Sequence, residues 1–150
     1  MSKLIATGSY LPETLLTNTQ LIEQFQIDSS HEWIEQRSGI TQRFFAKDDE
    51  TVANLATKAA QDLLFKLENH VVQEINLIIV ATMSANGTTP SVANQVQAAL
   101  GIKDAWGFDI SGACSGFVMA RDVAERMSRT KTEGYTLVFG AAKMRRILDF

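Results

Sequence analysis

The sequence predicts an α/β domain, and two features of its patterning carry that prediction. A continuous aliphatic run, INLIIVAT at residues 75–82, and a second largely apolar run, YTLVFGA at 135–141, are typical of buried strands. Amphipathic segments with helical spacing precede and separate these runs, and the longest spans residues 51–68. Alternation of such helices with uniformly apolar strands indicates a layered α/β fold.

The first fifty residues predict shorter elements. Residues 4–12 read as a strand that leads to a turn at Pro12. Asn18 and Ser30 carry side chains that are preferred at helix N-caps, so each is expected to begin a short helix. Residues 40–45, ITQRFF, alternate apolar and polar side chains, which indicates another strand.

The later elements have clearer boundaries. Thr51 is the expected N-cap of the long helix over residues 51–68. Gly101 is expected to close a helix that begins near Ser91, because glycine readily adopts the conformation that ends helices. A short strand at residues 105–110 and a helix over residues 116–129 flank the single cysteine.

Composition and charge limit the class of protein. The chain has 150 residues, 45% of them hydrophobic and 21% charged, which suits a single globular domain with one packed core. A net charge of -3 without a basic run argues against binding to nucleic acid. No apolar stretch reaches the roughly 18 residues of a membrane span, and the start lacks the regions of a signal peptide. We therefore expect a cytoplasmic protein that does not bind membranes.

The cysteine count restricts the chemistry further. Cys114 is the single cysteine, so the chain cannot form an internal disulfide. Two histidines, His31 and His70, lie far from it in sequence and do not make a convincing metal site with it. The sequence therefore predicts no metal centre.

The surroundings of Cys114 suggest a nucleophile. In FDISGACSGF it stands between a predicted strand and a predicted helix, the position of the nucleophile in strand-turn-helix elbows. A helix N-terminus favours the thiolate over the thiol. Gly112 is expected to relax the turn, and Gly116 to let helix and strand approach closely. The alternative is that Cys114 is a small, buried and inert residue.

Five segments of the chain resemble one enzyme family. They are ATGSYLP, SSHEWIEQRSGITQR, ATMSANGTTPSVANQVQAALG, DISGACSGF and FGAAKMRRILDF, in register from residue 2 to residue 150. Together they are similar to β-ketoacyl-[acyl-carrier-protein] synthase III, the initiating condensing enzyme of bacterial fatty-acid synthesis. The resemblance implies the N-terminal half of a duplicated thiolase-like fold, a mixed sheet with helices on its faces. The C-terminal half is then missing, and the apolar end of the chain at residues 144–150 also suggests that more chain was expected.

The resemblance implies a two-step reaction at Cys114. The cysteine would accept an acyl group from acyl-CoA, and the thioester would then be attacked by the carbanion left when malonyl-acyl carrier protein loses carbon dioxide. The backbone N–H of Cys114 would form part of the oxyanion hole. No cofactor beyond these substrates is implied, and acyl carrier protein is the implied protein partner.

Three more residues acquire roles from the resemblance. Trp33 and Arg37, four residues apart on one helix, match a pair that clasps the adenine end of CoA. Thr89 matches a position that lines the acyl pocket of the partner subunit, where threonine leaves more room than an aromatic residue. Without the motif, Trp33 would read as a core anchor, Arg37 as a solvated charge and Thr89 as a loop residue.

The missing half leaves alternatives open. The histidine and asparagine that bind the malonyl thioester come from that half, so we expect condensation to need a complementing C-terminal half, a homodimer contact, or both. A second hypothesis is a non-catalytic remnant that serves as a dimerising scaffold. A third is a cysteine-dependent hydrolase of acyl thioesters or amides, which needs a histidine base near Cys114. A nucleotide-binding domain is the weakest alternative, because the glycines do not form G-x-G-x-x-G.

Overall fold

The computed structural model of the chain describes residues 2–130 and 134–144. Within these residues the chain divides into two compact units. The larger unit contains the described parts of residues 2–10 and 51–143, and the smaller contains residues 11–50 together with Met144. The apolar run predicted at residues 144–150 lies outside the described residues except for Met144.

Helices and strands alternate in the larger unit, whereas two helices follow each other in the smaller one. In the smaller unit these are β1 (Thr14–Thr17), α1 (Asn18–Phe25), α2 (His31–Ser38) and β2 (Gln42–Phe45). In the larger unit these are α3 (Val52–Leu64), β3 (Ile75–Ala81), α4 (Val92–Ala99), β4 (Trp106–Ile110), α5 (Gly116–Ser128) and β5 (Tyr135–Gly140). None of the described helices has both the length and the apolar character that crossing a membrane requires.

The larger unit is built around a parallel sheet with the strand order β4-β3-β5. Strand β3 pairs with β4 from Leu77 opposite Trp106, and with β5 up to Ala81 opposite Gly140. One face of β3 packs against α3 and α4, and the other face packs against α5. This arrangement confirms the prediction that residues 75–82 form a buried strand.

The smaller unit pairs its two strands in antiparallel fashion. Strand β1 runs beside β2, with Thr14 opposite Phe45 and Thr17 opposite Gln42. The rings of Phe25 and Phe45 stack with centroids 6.0 Å apart. Asn18 lies at the centre of this unit and is fully buried, so a polar side chain takes a position that is usually apolar.

Several predicted helix boundaries are confirmed. The side chain of Ser30 accepts a hydrogen bond from the backbone N–H of Trp33 at 3.2 Å. Thr51 and Asn54 form a reciprocal capping box at the start of α3. Gly101 has a φ of +69° just after α4, the left-handed conformation expected of a glycine that closes a helix.

The predicted N-cap at Asn18 is wrong by one residue. Thr17 is the cap of α1, and its side chain accepts from the backbone N–H of Gln20 while the Gln20 side chain accepts from the N–H of Thr17. Asn18 is instead the first residue of the helix and uses its amide for contacts within the unit. The long helix α3 also ends earlier than predicted, at Leu64.

The predicted strand over residues 4–12 is also wrong, because the described residues give it no strand partner. Two side chains, one in α3 and one just after its end, bond to the backbone of this segment instead. The carboxylate of Asp62 accepts from the N–H of Ser9 at 3.0 Å, and Nζ of Lys66 donates to the carbonyl of Thr7 at 3.2 Å. Nζ of Lys66 also donates to the Asp62 carboxylate. This bond and the bond from the N–H of Ser9 hold the pKa of the Asp62 carboxyl below its usual value.

Gly8 is required where this segment crosses α3. A Cβ atom at Gly8 would lie 2.4 Å from the carbonyl oxygen of Ala59 and 2.6 Å from the backbone nitrogen of Leu63, and backbone cannot move aside cheaply. We predict that Gly8→Ala lowers the free energy of unfolding by about 1–3 kcal/mol, the usual cost of overpacking. Urea-induced unfolding measures the loss.

Gly87→Ala is the matched control, because a Cβ at Gly87 meets no atom within 4 Å. This variant should change stability by less than about 0.5 kcal/mol. Equal losses in the two variants would show that close approach to α3 is not the reason for the glycine at position 8.

Candidate active site

Cys114 lies in the connection between β4 and α5, as the sequence predicts. A single 3₁₀ turn, Ala113–Ser115, joins the strand to the helix, and Cys114 is its middle residue. The side chain is exposed, which contradicts the interpretation of Cys114 as a buried residue. Because it follows a parallel strand, it stands at the carboxyl edge of the sheet, where α/β folds place their ligands.

The backbone around Cys114 is tightly wound. Ala113 has a φ of +46°, a left-handed conformation that is rare for residues with a Cβ atom. The N–H of Ser115 donates to the carbonyl of Gly112 at 3.1 Å and closes the turn. Helix α5 begins at Gly116, and its N-cap residue Ser115 makes no side-chain capping bond. The N–H of Gly116 donates to the carbonyl of Ala113, so the 3₁₀ turn runs directly into the helix.

Two glycines give the turn its space. A Cβ atom at Gly116 would lie 3.2 Å from the Cβ of Ala81, which confirms the predicted close approach of helix and strand. A Cβ atom at Gly112 would lie 2.8 Å from Sδ of Met119 and 3.0 Å from Cα of Gly116. The left-handed residue of the turn is Ala113 and not Gly112, so Gly112 serves close packing rather than a positive φ.

Asp109 ties the strand before Cys114 to helix α4, a role that the sequence analysis did not predict. Its two carboxylate oxygens accept hydrogen bonds from the backbone N–H groups of Val92, at 2.7 Å, and Ala93, at 2.9 Å. A carboxylate at a helix N-terminus is favoured by the helix dipole as well as by these bonds. The signal in the sequence is an acidic residue within an otherwise apolar strand, WGFDI.

Thr89 lies in the loop between β3 and α4. Its side chain is exposed, and the peptide bond between Thr89 and Pro90 is cis. The side-chain amide of Gln95 donates to the carbonyl of Pro90 at 2.9 Å and so fastens the end of this loop to α4. Thr89 follows β3, and Cys114 follows the neighbouring strand β4, so both come after strands that end at the carboxyl edge of the sheet.

A buried polar contact joins the two other loops at this edge. Ser84 follows β3, Lys143 follows β5, and both residues are buried. The backbone N–H of Lys143 donates to Oγ of Ser84 at 2.8 Å, while the N–H of Ser84 donates to Oγ1 of Thr82 at 3.2 Å. These bonds fix the backbone beside the turn that carries Cys114.

Trp33 and Arg37 lie together on α2 in the smaller unit. The guanidinium carbon of Arg37 is 5.7 Å from the centre of the Trp33 ring, a cation–π contact that confirms the prediction of a shared helix face. Trp33 is 57% exposed, so it is not a core anchor. The ring can stack on a nucleotide base, and the guanidinium beside it can attract a phosphate. Both residues belong to a different unit from Cys114.

The two histidines bond to other side chains. His31 contacts Asn18 and Glu35 at 3.3 Å each, and His70 contacts Glu68 at 3.2 Å. None of these three contacts involves Cys114. Among residues 2–130 and 134–144, no three histidine, cysteine or acidic side chains form a group that could hold a metal ion.

The first turn of α5 carries exposed apolar side chains next to Cys114. Phe117, Val118 and Met119 follow one another and are 50%, 69% and 47% exposed. Large apolar residues that cluster on a surface mark places where a partner or a ligand binds.

Known proteins resemble this chain over nearly its whole length. The family model described as 3-oxoacyl-[acyl-carrier-protein (ACP)] synthase III matches residues 108–150, which include the turn at Cys114. β-Ketoacyl-[acyl-carrier-protein] synthase III of Pasteurella multocida is 47% identical over 148 residues, and that of Pectobacterium atrosepticum is 43% identical. Each covers 99% of this chain, whereas the chain covers 46% of each relative. The chain therefore spans about half the length of these curated relatives.

Solved structures give the same result for the fold. The synthase III of Thermus thermophilus superposes with a TM-score of 0.89 at 34% identity, covering 99% of this chain and 45% of that one. The corresponding enzyme of Aquifex aeolicus gives a TM-score of 0.88 at 43% identity, covering 98% of this chain and 46% of that one. The predicted resemblance and the thiolase-like α/β fold are confirmed.

The positive φ of Ala113 generates a prediction about the turn. Left-handed backbone costs an alanine about 1–2 kcal/mol, whereas glycine adopts it freely but loses more entropy on folding. We expect Ala113→Gly to raise the free energy of unfolding by roughly 0.5–1 kcal/mol, as measured in urea.

Ala120→Gly is the comparison, because Ala120 is fully buried in the middle of α5 and should lose about 1 kcal/mol or more on replacement by glycine. A loss of stability in both variants would contradict the assignment of strain to position 113.

Proposed function

We propose that this chain supplies the nucleophile of a β-ketoacyl-[acyl-carrier-protein] synthase III and takes an acyl group from acyl-CoA onto Cys114. The observation that carries the proposal is the exposed thiol on the 3₁₀ turn that joins strand β4 to the N-terminus of α5. The similarity of the whole chain to synthases III supports the same reaction.

In the proposed first step, Sγ of Cys114 attacks the thioester carbonyl of acyl-CoA. A new carbon–sulfur bond forms, the bond to the CoA sulfur breaks, and CoA leaves as a thiol with the proton that the cysteine gave up. The backbone N–H of Cys114, in the turn that leads into α5, is proposed to stabilise the negative oxygen of the tetrahedral intermediate. No cofactor takes part in this step.

Trp33 and Arg37 are proposed to bind the adenine end of CoA. Their exposed cation–π pair offers a ring face for stacking and a guanidinium for the nucleotide phosphates. Both groups are presented by one short helix whose N-cap is satisfied by Ser30.

Thr89 is proposed to line the acyl pocket. Its exposed side chain lies on a loop that Gln95 fastens to α4, so a subunit that packs against this loop would meet a small side chain. The proposal is that longer or branched acyl groups are accepted because threonine occupies less space than an aromatic residue.

In the proposed second step, malonyl-acyl carrier protein loses carbon dioxide and its carbanion attacks the acyl group on Cys114. A carbon–carbon bond forms, and the thiolate of Cys114 leaves. We propose that the groups that assist decarboxylation come from another chain or from further sequence, since His31 and His70 bond elsewhere. Acyl carrier protein is the proposed partner of this step, and a cytoplasmic location stays a prediction.

Two alternatives remain with distinct expectations. A non-catalytic scaffold would leave Cys114 unreactive, and the exposed apolar turn of α5 would serve contact with a partner alone. A cysteine hydrolase would release the acyl group to water and would need a histidine base, a role that the contacts of His31 and His70 do not support.

The first experiment measures the intact mass of the protein after incubation with acetyl-CoA. We expect a covalent acetyl adduct in the wild-type protein and none in Cys114→Ala, with Cys114→Ser as a variant of similar size and far weaker nucleophilicity. A persistent adduct supports the synthase, whereas turnover to free acetate supports the hydrolase. A folded protein that shows neither an adduct nor release of acetate would refute acyl transfer.

The same measurement with a branched acyl-CoA tests Thr89. The wild-type protein should accept both substrates, and Thr89→Phe should lose the branched adduct by about tenfold relative to acetyl, since pocket volume discriminates at this level. Thr88→Phe, a change at the neighbouring exposed loop residue, is the control. Equal ratios in all three proteins would exclude Thr89 from the pocket.

The exposed apolar turn predicts that the 150-residue chain associates. Phe117, Val118 and Met119 would be covered by a second copy or by a complementing half. Size-exclusion chromatography with light scattering should show an assembly larger than one chain, and Val118→Lys should weaken it. A well-behaved monomer would contradict this expectation.

A further inference from the structure

The bonds around Asn18 fix the orientation of its side-chain amide. Nη2 of Arg43 lies 2.7 Å from Oδ1 of Asn18, and a guanidinium can only donate. Nδ2 of Asn18 lies 2.7 Å from the carbonyl oxygen of Ile40, which can only accept. Both contacts assign the oxygen and nitrogen of the amide in the same way, and Nδ2 retains a second N–H for another acceptor.

The ring of His31 meets that second N–H. Its Nδ1 is 3.3 Å from Nδ2 of Asn18. Because a primary amide nitrogen donates and does not accept, Nδ1 must be the acceptor and carry no proton. Nε2 lies 3.3 Å from Oε2 of Glu35 and donates its N–H to that carboxylate. The contacts therefore select the neutral imidazole with its proton on Nε2.

We propose that His31 is a pH-dependent positioning residue, which holds the first turn of α2 against Asn18 only while its imidazole is neutral. His31 is the first residue of α2, and Asn18 is fully buried. A proton on Nδ1 would place one N–H group against another, so the bond is lost and a buried donor loses its acceptor. The ring can then turn toward water, because its side chain is 38% exposed.

Charged groups on two elements face this ring and the amide. Glu35 and Glu32 lie on α2, and the helix-terminal bonds of Glu32, from the backbone and from Ser30, lower its pKa. Arg43 reaches the Asn18 amide from β2. The two carboxylates favour protonation of the ring, whereas the N–H of Asn18 and the positive charge of Arg43 disfavour protonation. Protonation therefore exchanges the Asn18 bond for a stronger ion pair with Glu35.

The consequence for binding rests on the proposed role of Trp33 and Arg37 in holding CoA. These residues follow His31 by two and six positions on the same eight-residue helix. When the anchor at the first residue is lost, the pair is no longer held in one position. We expect the loss of this anchor to lower acyl-CoA affinity about fivefold, the value of one hydrogen bond.

Nuclear magnetic resonance tests the anchor without reference to CoA. The full chain is compared with His31→Asn, whose side-chain oxygen accepts from Asn18 and does not titrate. In the wild type at pH 8, the His31 ring should carry its proton on Nε2. The side-chain amide signals of Asn18 should move between pH 8 and 5 in the wild type and stay constant in the variant. Asn18 signals that do not move in the wild type overturn the proposal.

Calorimetric titration with acetyl-CoA at pH 7.5 and 5.5 tests the positioning role. The loss of affinity on acidification should be about fivefold larger in the wild type and in His70→Asn, a control at the exposed histidine, than in His31→Asn. An equal loss in His31→Asn overturns the positioning role. If acetyl-CoA binds to no variant at either pH, the proposed function of α2 fails, and the Asn18 signals still decide whether His31 is the anchor.

Discussion

The burial of β3 between two helical layers is the constraint on which the larger unit depends. Ile78 and Val80 point toward α3 and α4, while Leu77 and Ile79 point toward α5. Each such side chain contributes about 1.5–3 kcal/mol when it leaves water, so displacement of β3 would expose both layers at once. Because β4 and β5 pair with the two edges of this strand, their positions follow from its position.

The candidate active site inherits its rigidity from this strand. Parallel pairing brings the carboxyl ends of β3, β4 and β5 to one edge, where the three following loops meet. Cys114 itself is exposed, but the residues around it are held by Asp109, by the Ser84–Lys143 contact and by the close approach of Gly116 to Ala81. A reactive group on a loop thus gains a fixed position from buried elements, as functional sites require.

The smaller unit is held together by different means. Its centre is Asn18, whose side-chain amide bonds to Arg43, Ile40 and His31. The backbone N–H of Asn18 donates to the carbonyl of Thr41 at 3.1 Å. A buried polar network of this kind fixes one arrangement, because any shift leaves a buried group without a partner. Its dependence on His31 also makes it sensitive to protonation, which an apolar core is not.

The sequence by itself determined the features that depend on neighbouring residues. Helical spacing, the caps at Ser30 and Thr51, the largely apolar strand β3 and the strand-turn-helix setting of Cys114 all follow from local pattern. Only the tertiary structure decided that residues 4–12 bond to α3, that Asn18 is buried rather than a cap, and that Asp109 holds the start of α4. The physical reason is that a polar group can satisfy its hydrogen bonds either locally or with a distant partner, and that choice depends on which elements pack beside it.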